Sequence, residues 1–284
     1  MKLRAHAKLN LSLRVFEKRP DGFHNIESVM QSVSLHDLIT LSLIPSGIDV
    51  ICDDPKVPQG KENLAYKAAE LFLETGNGLC PEGPQPEGKK ETGIKIEIEK
   101  HIPMAAGLAG GSADAAAVLF GMNQFLVPNS QLPVPKLQEL GAQIGSDVPF
   151  CLTGGTCLVK GRGEIVEKQE PWPRTYFVLV CPDIHVSTRW AYEEFDRLHL
   201  SVSGEIKNDL EPGVVSRHEV ITEIKEKLLK LGCPEVQMSG SGPSVFGVVR
   251  HKASAEEIFG KIKEDYPRSF LVETVDKGID IINI

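Results

Sequence analysis

The stretch HIPMAAGLAGGSADAAAVLFGMNQFL, residues 101–126, decides how this chain is read. Directly before it, residues 93–99 (GIKIEIE) alternate apolar and polar side chains, which predicts a strand. A glycine-rich turn and then a helix rich in Ala and Leu, starting near Ser112, follow. Gly107, Gly110 and Gly111 carry no Cβ, so successive backbone N–H groups can approach an anion. The following helix start adds free amides and the positive end of its dipole, and a triphosphate suits such a cradle. The spacing is neither G-x-G-x-x-G nor G-x4-G-K-[ST], so it supports neither a Rossmann dinucleotide site nor a P-loop. Glycine content alone leaves a tight strand-to-helix turn packed under a sheet as an equal reading.

Working outward, 284 residues suggest two domains at roughly 100–200 residues each. With 41% hydrophobic and 25% charged residues, the composition is that of a globular protein. A net charge of −8 argues against sequence-independent binding to nucleic acid or to anionic membranes. The six cysteines (52, 80, 151, 157, 181 and 233) form no C-x-x-C pair, so neither a zinc ribbon nor a thioredoxin-like centre has its spacing. They read as small buried apolar residues. The N-terminus lacks a signal-peptide apolar core, and no run approaches 18 apolar residues, so the expectation is a soluble cytoplasmic protein.

Residues 3–15 predict one strand, with Leu9, Leu11, Leu13 and Val15 on one face, and 33–44 predict a second. Arg19-Pro20-Asp21-Gly22 between them signals a turn. Asn63 is the expected N-cap of a helix that ends at Gly76. Residues 76–92 read as an exposed insertion; its Walker-like Gly83-x4-Gly88-Lys89 has Lys90 where Ser or Thr is needed. A helix over 135–144 precedes SDVPF, where Pro149 is expected to push Val148 toward extended geometry. Gly161-Arg162-Gly163 joins two short strands. Beyond 168 the expected order is strand 175–181, helix 188–198, helix 216–231, strand 244–250, helix 254–265 and strand 269–275. Ser216 with Glu219, and Ser254 with Glu257, have capping-box spacing. The domains are thus expected at 1–168 and 169–284, both α+β.

Four further patches could carry chemistry. Lys8 and Asn10 fall on the same side of the first strand, opposite its apolar face; most such pairs are simply solvated. MSGSGPS at 238–244 could form a second close-approach loop, though alone it would more often be a turn. Asp147 in GSDVP could be a turn aspartate bonded to its own backbone. His24 in DGFHN could read a base or sugar, or lie exposed. No metal-ligand His cluster, H-E-x-x-H or G-x-S-x-G elbow occurs, and no metal ligand can be named.

Taken in order, AKLNL (7–11), PMAAGLAGGSADAAA (103–117), GSDVPF (145–150) and MSGSGPSVF (238–246) resemble the GHMP small-molecule kinases over nearly the whole chain. DGFH (21–24) narrows the resemblance to members that phosphorylate the C2 hydroxyl of a cytidyl-linked methylerythritol; members acting on homoserine, mevalonate or a sugar are the alternative. A non-catalytic nucleotide-binding module is the other alternative, and the joint presence of Lys8 and Asp147 speaks against it. The resemblance implies an N-terminal half like ribosomal protein S5 domain 2 and a ferredoxin-like C-terminal half. It also implies a small-molecule substrate, no nucleic-acid or membrane partner, and a monomer or weak homodimer.

For the site, the resemblance makes Asp147 the base and Lys8 its partner. An ammonium beside a carboxylate favours the charged form that orients and later deprotonates an alcohol. ATP would be held by Pro103, Met104, Ala105, Ala106, Gly107, Leu108, Ala109, Gly110, Gly111, Ser112 and Ala113, with Asn63, Gly240, Ser241 and Gly242 completing its site. The acceptor would meet Asn10, Phe23, His24, Asp147, Thr188 and Tyr192, the last stacking on the cytosine. Mg²⁺ is expected because phosphoryl transfer needs its charge neutralised. Ser112 would bond a phosphate oxygen or approach the metal, and Asp114 stands where relatives often carry Asn. Phe23 replaces a tyrosine found in some relatives, keeping the ring and losing the hydroxyl. Ala105, Ala106 and Ala109 are small enough for close approach but less permissive of positive φ.

Overall fold

The computed structural model describes residues 1–75, 93–126, 131–198 and 207–283. The insertion at 76–92, with Cys80 and the Walker-like fragment, lies outside the described residues. The chain runs β1 (Lys2–Asn10), β2 (Arg14–Lys18), β3 (His24–Ile44), β4 (Ile48–Cys52), α1 (Leu64–Glu74), β5 (Gly93–Glu99) and α2 (Gly110–Leu126). It continues through α3 (Val134–Ile144), α4 (Val148–Thr153), β6 (Thr156–Gly161), β7 (Ile165–Lys168), β8 (Tyr176–Val180) and α5 (Thr188–Leu198). The last elements are α6 (Glu211–Arg217), α7 (Glu219–Lys230), β9 (Glu235–Met238), β10 (Val245–Val249), α8 (Lys252–Asp265), β11 (Ser269–Glu273) and β12 (Ile279–Asn283).

Two sheets form. The first is ordered β12-β1-β3-β5-β4, with β2 and β6 on the early half of β3 and β7 on β6. The second is antiparallel, β11-β8-β10-β9. Strand β3 is the spine of the first sheet: its 21 residues pair with β1 and β2 on one side and with β5 and β6 on the other. The expected strand at 33–44 is therefore only its second half, because pairing with β2 and β6 extends the strand back to His24. The expected strand 3–15 instead breaks at 11–13, where Leu11 N and Ser12 N both turn to Val29 O.

Period-2 alternation explains why β1 can serve both core and site. Leu3, Ala5, Ala7 and Leu9 are fully buried against α2 and β3 neighbours. On the other face His6, Lys8 and Asn10 are also buried, covered by the C-terminal return at Gly278–Asp280 and by the 238–244 loop. The solvated reading of Lys8 and Asn10 is corrected by this second layer. Strand β8 alternates between two cores: Phe177 and Leu179 join the first sheet's core, while Val178 and Val180 meet α7 and α8. The two halves thus share apolar contact as well as strand β12.

Helix α2 is buried on almost every side from Ala113 to Leu119, which small side chains make possible. At Gly121 a Cβ would lie 2.4 Å from Leu41 Cδ1, so the glycine sets how closely the helix lies on the sheet.

Helix starts in the second half differ from the capping-box expectation. Ser216 lies inside α6 and donates to Gly213 O, and α7 starts after His218 without a side-chain cap. Ser254 lies inside α8, which begins at Lys252 after His251. Likewise Val148 is the first residue of α4, not extended: Pro149 occupies the first turn, where its missing N–H costs nothing. The five described cysteines are free and buried.

Candidate active site

A cavity of about 1090 Å³ opens between the two halves. Its floor is the loop leading into α2, and its lining includes Pro103, Met104, Ala105, Ala106, Gly107, Ala109, Gly110, Gly111 and Ser112. Gly107 adopts φ +74, and a Cβ there would lie 2.4 Å from Ser239 O. Ala105 (φ 50) and Ala109 (φ 59) are also left-handed, a conformation that costs an L residue roughly 1–2 kcal/mol. Left-handed residues in a loop that leads into a helix start are a backbone form suited to an anion cradle. Leu108 and Ala113 point instead into the core, although Leu108 O accepts from Lys8 N at 3.1 Å.

Lys8 and Asp147 meet beside this cradle, with Nζ and Oδ2 3.8 Å apart. Lys8 Nζ also donates to Asn10 Oδ1 at 2.6 Å, and Asn10 Nδ2 donates to Ser28 Oγ at 2.8 Å. Both lysine and asparagine are buried, whereas the Asp147 side chain is 30% exposed and faces the cavity. The glycine loop at 238–244 closes on this pair: a Cβ on Gly240 would sit 3.0 Å from Asn10 Oδ1 and 3.2 Å from Lys8 Nζ. Ser239 Oγ accepts from Asn10 N and donates to Gly107 O, tying the second half to both the strand and the cradle. Gly240 and Ser241 line the cavity; Gly242 (φ +80) lies against Met238 outside it. Asn63 also lines the cavity and caps α1 through Ala65 N.

The opposite end is aromatic. His24 stacks on Tyr192 with centroids 5.2 Å apart and an interplanar angle of 23°. Its Nε2 lies 2.7 Å from Asp196 Oδ1, and Lys18 Nζ donates to the other Asp196 oxygen at 3.0 Å. Those two bonds outweigh desolvation and hold the Asp196 carboxyl below the usual carboxylate range. Burial and the charge of Asp147 push the Tyr192 phenol upward, so it remains a neutral ring. Thr188 bonds Ser241 at 3.0 Å. Phe23 is 47% exposed, and the Arg162 guanidinium lies 5.3 Å from its ring centre.

Several groups could not be found from local spacing. Under the cradle, buried Lys100 bridges Asp37 (2.5 Å) and Asp114 (2.8 Å). Asp37 also accepts from His101 N and Ile102 N, so the cluster anchors the entry to the loop. Burial pushes the Asp114 carboxyl up; Lys100 opposes this and Asp37 adds to it, and Asp114 Oδ1 is buried without a partner. Burial alone would lower Lys100, but Asp114 and Asp37 raise it.

For Mg²⁺, no group of three His, Cys, Asp or Glu side chains among the described residues forms a protein cage. The Ser112 hydroxyl, near the position a Gly145 Cβ would take, and the partly exposed Asp147 carboxylate are a sparse oxygen set. Such a set suits a cation held mainly by substrate phosphates and water.

Comparison with known proteins bears on the family and the fold. Residues 63–155 match the profile described as GHMP kinases N terminal domain, and 191–268 that of GHMP kinases C terminal. A 4-diphosphocytidyl-2-C-methyl-D-erythritol kinase of Acetivibrio thermocellus is 40% identical over 292 residues, covering 96% of this chain and 98% of that protein. A crystal structure of 4-(cytidine 5'-diphospho)-2C-methyl-D-erythritol kinase superposes with TM-score 0.77 at 30% identity, covering 96% of this chain and 99% of the other. A homoserine kinase from Cytophaga hutchinsonii shares the fold, with TM-score 0.73, 21% identity and coverage of 99% and 97%. The chain belongs to the GHMP kinases and, within them, to the family of the 4-diphosphocytidyl-2-C-methyl-D-erythritol kinases. Among the described residues no helix is long and apolar enough to cross a membrane.

Proposed function

We propose that this protein transfers the terminal phosphoryl group of ATP to the C2 hydroxyl of 4-diphosphocytidyl-2-C-methyl-D-erythritol, a step of non-mevalonate isoprenoid synthesis in the cytoplasm. The observation that carries the reading is the Lys8–Asp147 pair placed beside a glycine cradle within one cavity. Residues 1–168 supply the cradle and pair, and residues 169–284 supply the 238–244 loop and the α5 wall.

In this reading the 103–113 backbone receives the triphosphate, with Asn63 toward the nucleoside end and Ser112 at the helix start. The acceptor's base lies among Phe23, His24 and Tyr192, and its alcohol lies at Asp147. The Asp147 carboxylate accepts a hydrogen bond from that hydroxyl, aims its oxygen at the terminal phosphorus, and takes the proton as charge leaves the oxygen. Lys8, held in place by Asn10, stabilises negative charge building on the transferred group. Bound Mg²⁺ would neutralise phosphate charge, with the Ser112 hydroxyl at the helix start placed to help phosphate and water oxygens hold it. The hydrogen bond from Ser239 Oγ to Gly107 O holds the 238–244 loop against the cradle.

The direct test is a turnover assay with ATP and this cytidyl alcohol, run beside homoserine, mevalonate and a hexose. Turnover confined to the cytidyl alcohol is expected; equal or greater turnover of another alcohol would reassign the acceptor.

A further inference from the structure

The acceptor proposed above is itself a diphosphate, so its two ends are joined by a polyanion that needs a cation separate from the ATP cradle. We propose that Arg162 binds that diphosphate. The inference rests on the functional reading and goes beyond it, since the resemblance assigns this residue nothing.

Among the described residues five Lys and Arg side chains line the cavity: Lys8, Lys18, Lys100, Arg162 and Arg189. Four are committed to acidic side chains: Lys8 to Asp147, Lys18 to Asp196, Lys100 to Asp37 and Asp114, and Arg189 to Glu193. Among the described residues Arg162 alone of the five has no ion-pair partner. Asp21 feels its charge but pairs with Arg19. One guanidinium nitrogen, Nη2, donates to Ala142 O at 2.8 Å, and the plane covers Phe23. The group is therefore fixed in orientation while most of its N–H donors remain available. A fixed planar fork is the geometry that recognises phosphate oxygens, and little rotamer entropy is left to lose on binding.

The turn that carries Arg162 abuts the catalytic segment, since a Cβ on Gly163 would lie 2.9 Å from Ser146 Cβ, next to Asp147. Its other neighbour is Phe23, next to His24. Arg162 thus lies between the residues assigned to the base and the residue assigned to the alcohol. In a nucleoside diphosphate ester the phosphates occupy that same interval. A cation without an ion-pair partner there would favour cytidine carrying a diphosphate over cytidine alone.

The test is isothermal titration of CDP and of cytidine, with the ATP site filled by a non-hydrolysable ATP analogue, on wild type, Arg162→Met and Arg162→Lys. Wild type should bind CDP more tightly than cytidine; Arg162→Met should reduce that ratio by about tenfold, with Arg162→Lys between them. Affinity for the ATP analogue should not change. An unaltered CDP-to-cytidine ratio in Arg162→Met overturns the inference alone, leaving the functional reading intact. Parallel loss of affinity for CDP, cytidine and the ATP analogue marks a purely structural role and also overturns it. Wild type that binds neither CDP nor cytidine overturns the functional reading, and this inference with it.

Discussion

Lys8 Nζ and Asp147 Oδ2 lie 3.8 Å apart, one on the first strand and the other at the start of α4. The pair is assembled by two unrelated constraints. Strand alternation sends Lys8 away from the first core, and Pro149 in the first turn of α4 starts that helix immediately after Asp147.

Asp147→Asn keeps the shape and removes the proposed proton acceptor. Phosphoryl transfer should fall by roughly 10²–10⁴-fold, the usual contribution of a positioned base. Affinity for ATP should stay within a few fold, because the proposed role of the carboxylate is toward the alcohol and not the nucleotide. Steady-state turnover and nucleotide titration check this, and normal turnover in the variant would remove Asp147 from the role.

The cradle makes opposite predictions for two small residues. Gly107→Ala would force an L residue to φ +74 and press its Cβ on Ser239 O, so it should weaken ATP binding by about tenfold and loosen the Ser239 contact. Ala109→Gly relieves a left-handed alanine and should raise stability by roughly 0.5–1 kcal/mol after glycine's entropy cost. Nucleotide titration and denaturant midpoints distinguish them, and a destabilised Ala109→Gly would contradict the strain argument.

Asp114 gives a pH prediction. Its carboxyl rises from 3.8 to about 8 in the folded protein, first through burial, with Lys100 opposing and Asp37 adding. The unfolded chain releases this proton near the ordinary value while the folded chain keeps it. Between the two values the native state binds the extra proton, so stability declines as pH rises and the contribution is gone above about 8. Asn has no proton to lose. The melting temperature of wild type should therefore fall relative to Asp114→Asn between about pH 5 and about pH 8.5. Parallel curves for the two proteins would mean that Asp114 is ionised throughout.

Much of this architecture was legible along the chain, and the failures share one cause. Hydrophobic alternation and glycine placement located β5, the cradle and α2, because strand period, turn and helix start are all local signals. The capping boxes at Ser216 and Ser254 failed because tertiary packing placed the helix starts elsewhere. Strand β12 was missed because nothing in IDIIN announces that its partner is β1, at the far end of the chain. In the site, Lys8, Asn10 and Asp147 were reached through ordered motifs. Lys100 with Asp37, and Asp196 with His24, were not, since each links residues whose spacing carries no pattern. Burial had the same effect on Lys8 and Asn10: only the returning chain at 278–280 and the 238–244 loop turn a solvated strand face into a buried one.

Asp196 shows what such a long-range partner does. It stands one helical turn beyond Tyr192 and two beyond Thr188, so α5 presents all three along one stripe toward the cavity and the N-terminal half. Its carboxylate receives His24 Nε2 and Lys18 Nζ, which fixes the imidazole ring against Tyr192. Asp196→Asn removes the charge that Lys18 answers and weakens the bond that orients His24, while leaving the ATP cradle untouched. The acceptor KM should rise by roughly three- to tenfold, about the value of one charge-assisted hydrogen bond near the surface, with the KM for ATP unchanged. Lys18→Met, which leaves His24 bonded to Asp196, should shift the acceptor KM less. If Asp196→Asn changes both KM values equally, the residue stabilises the interface between the halves and does not act through His24.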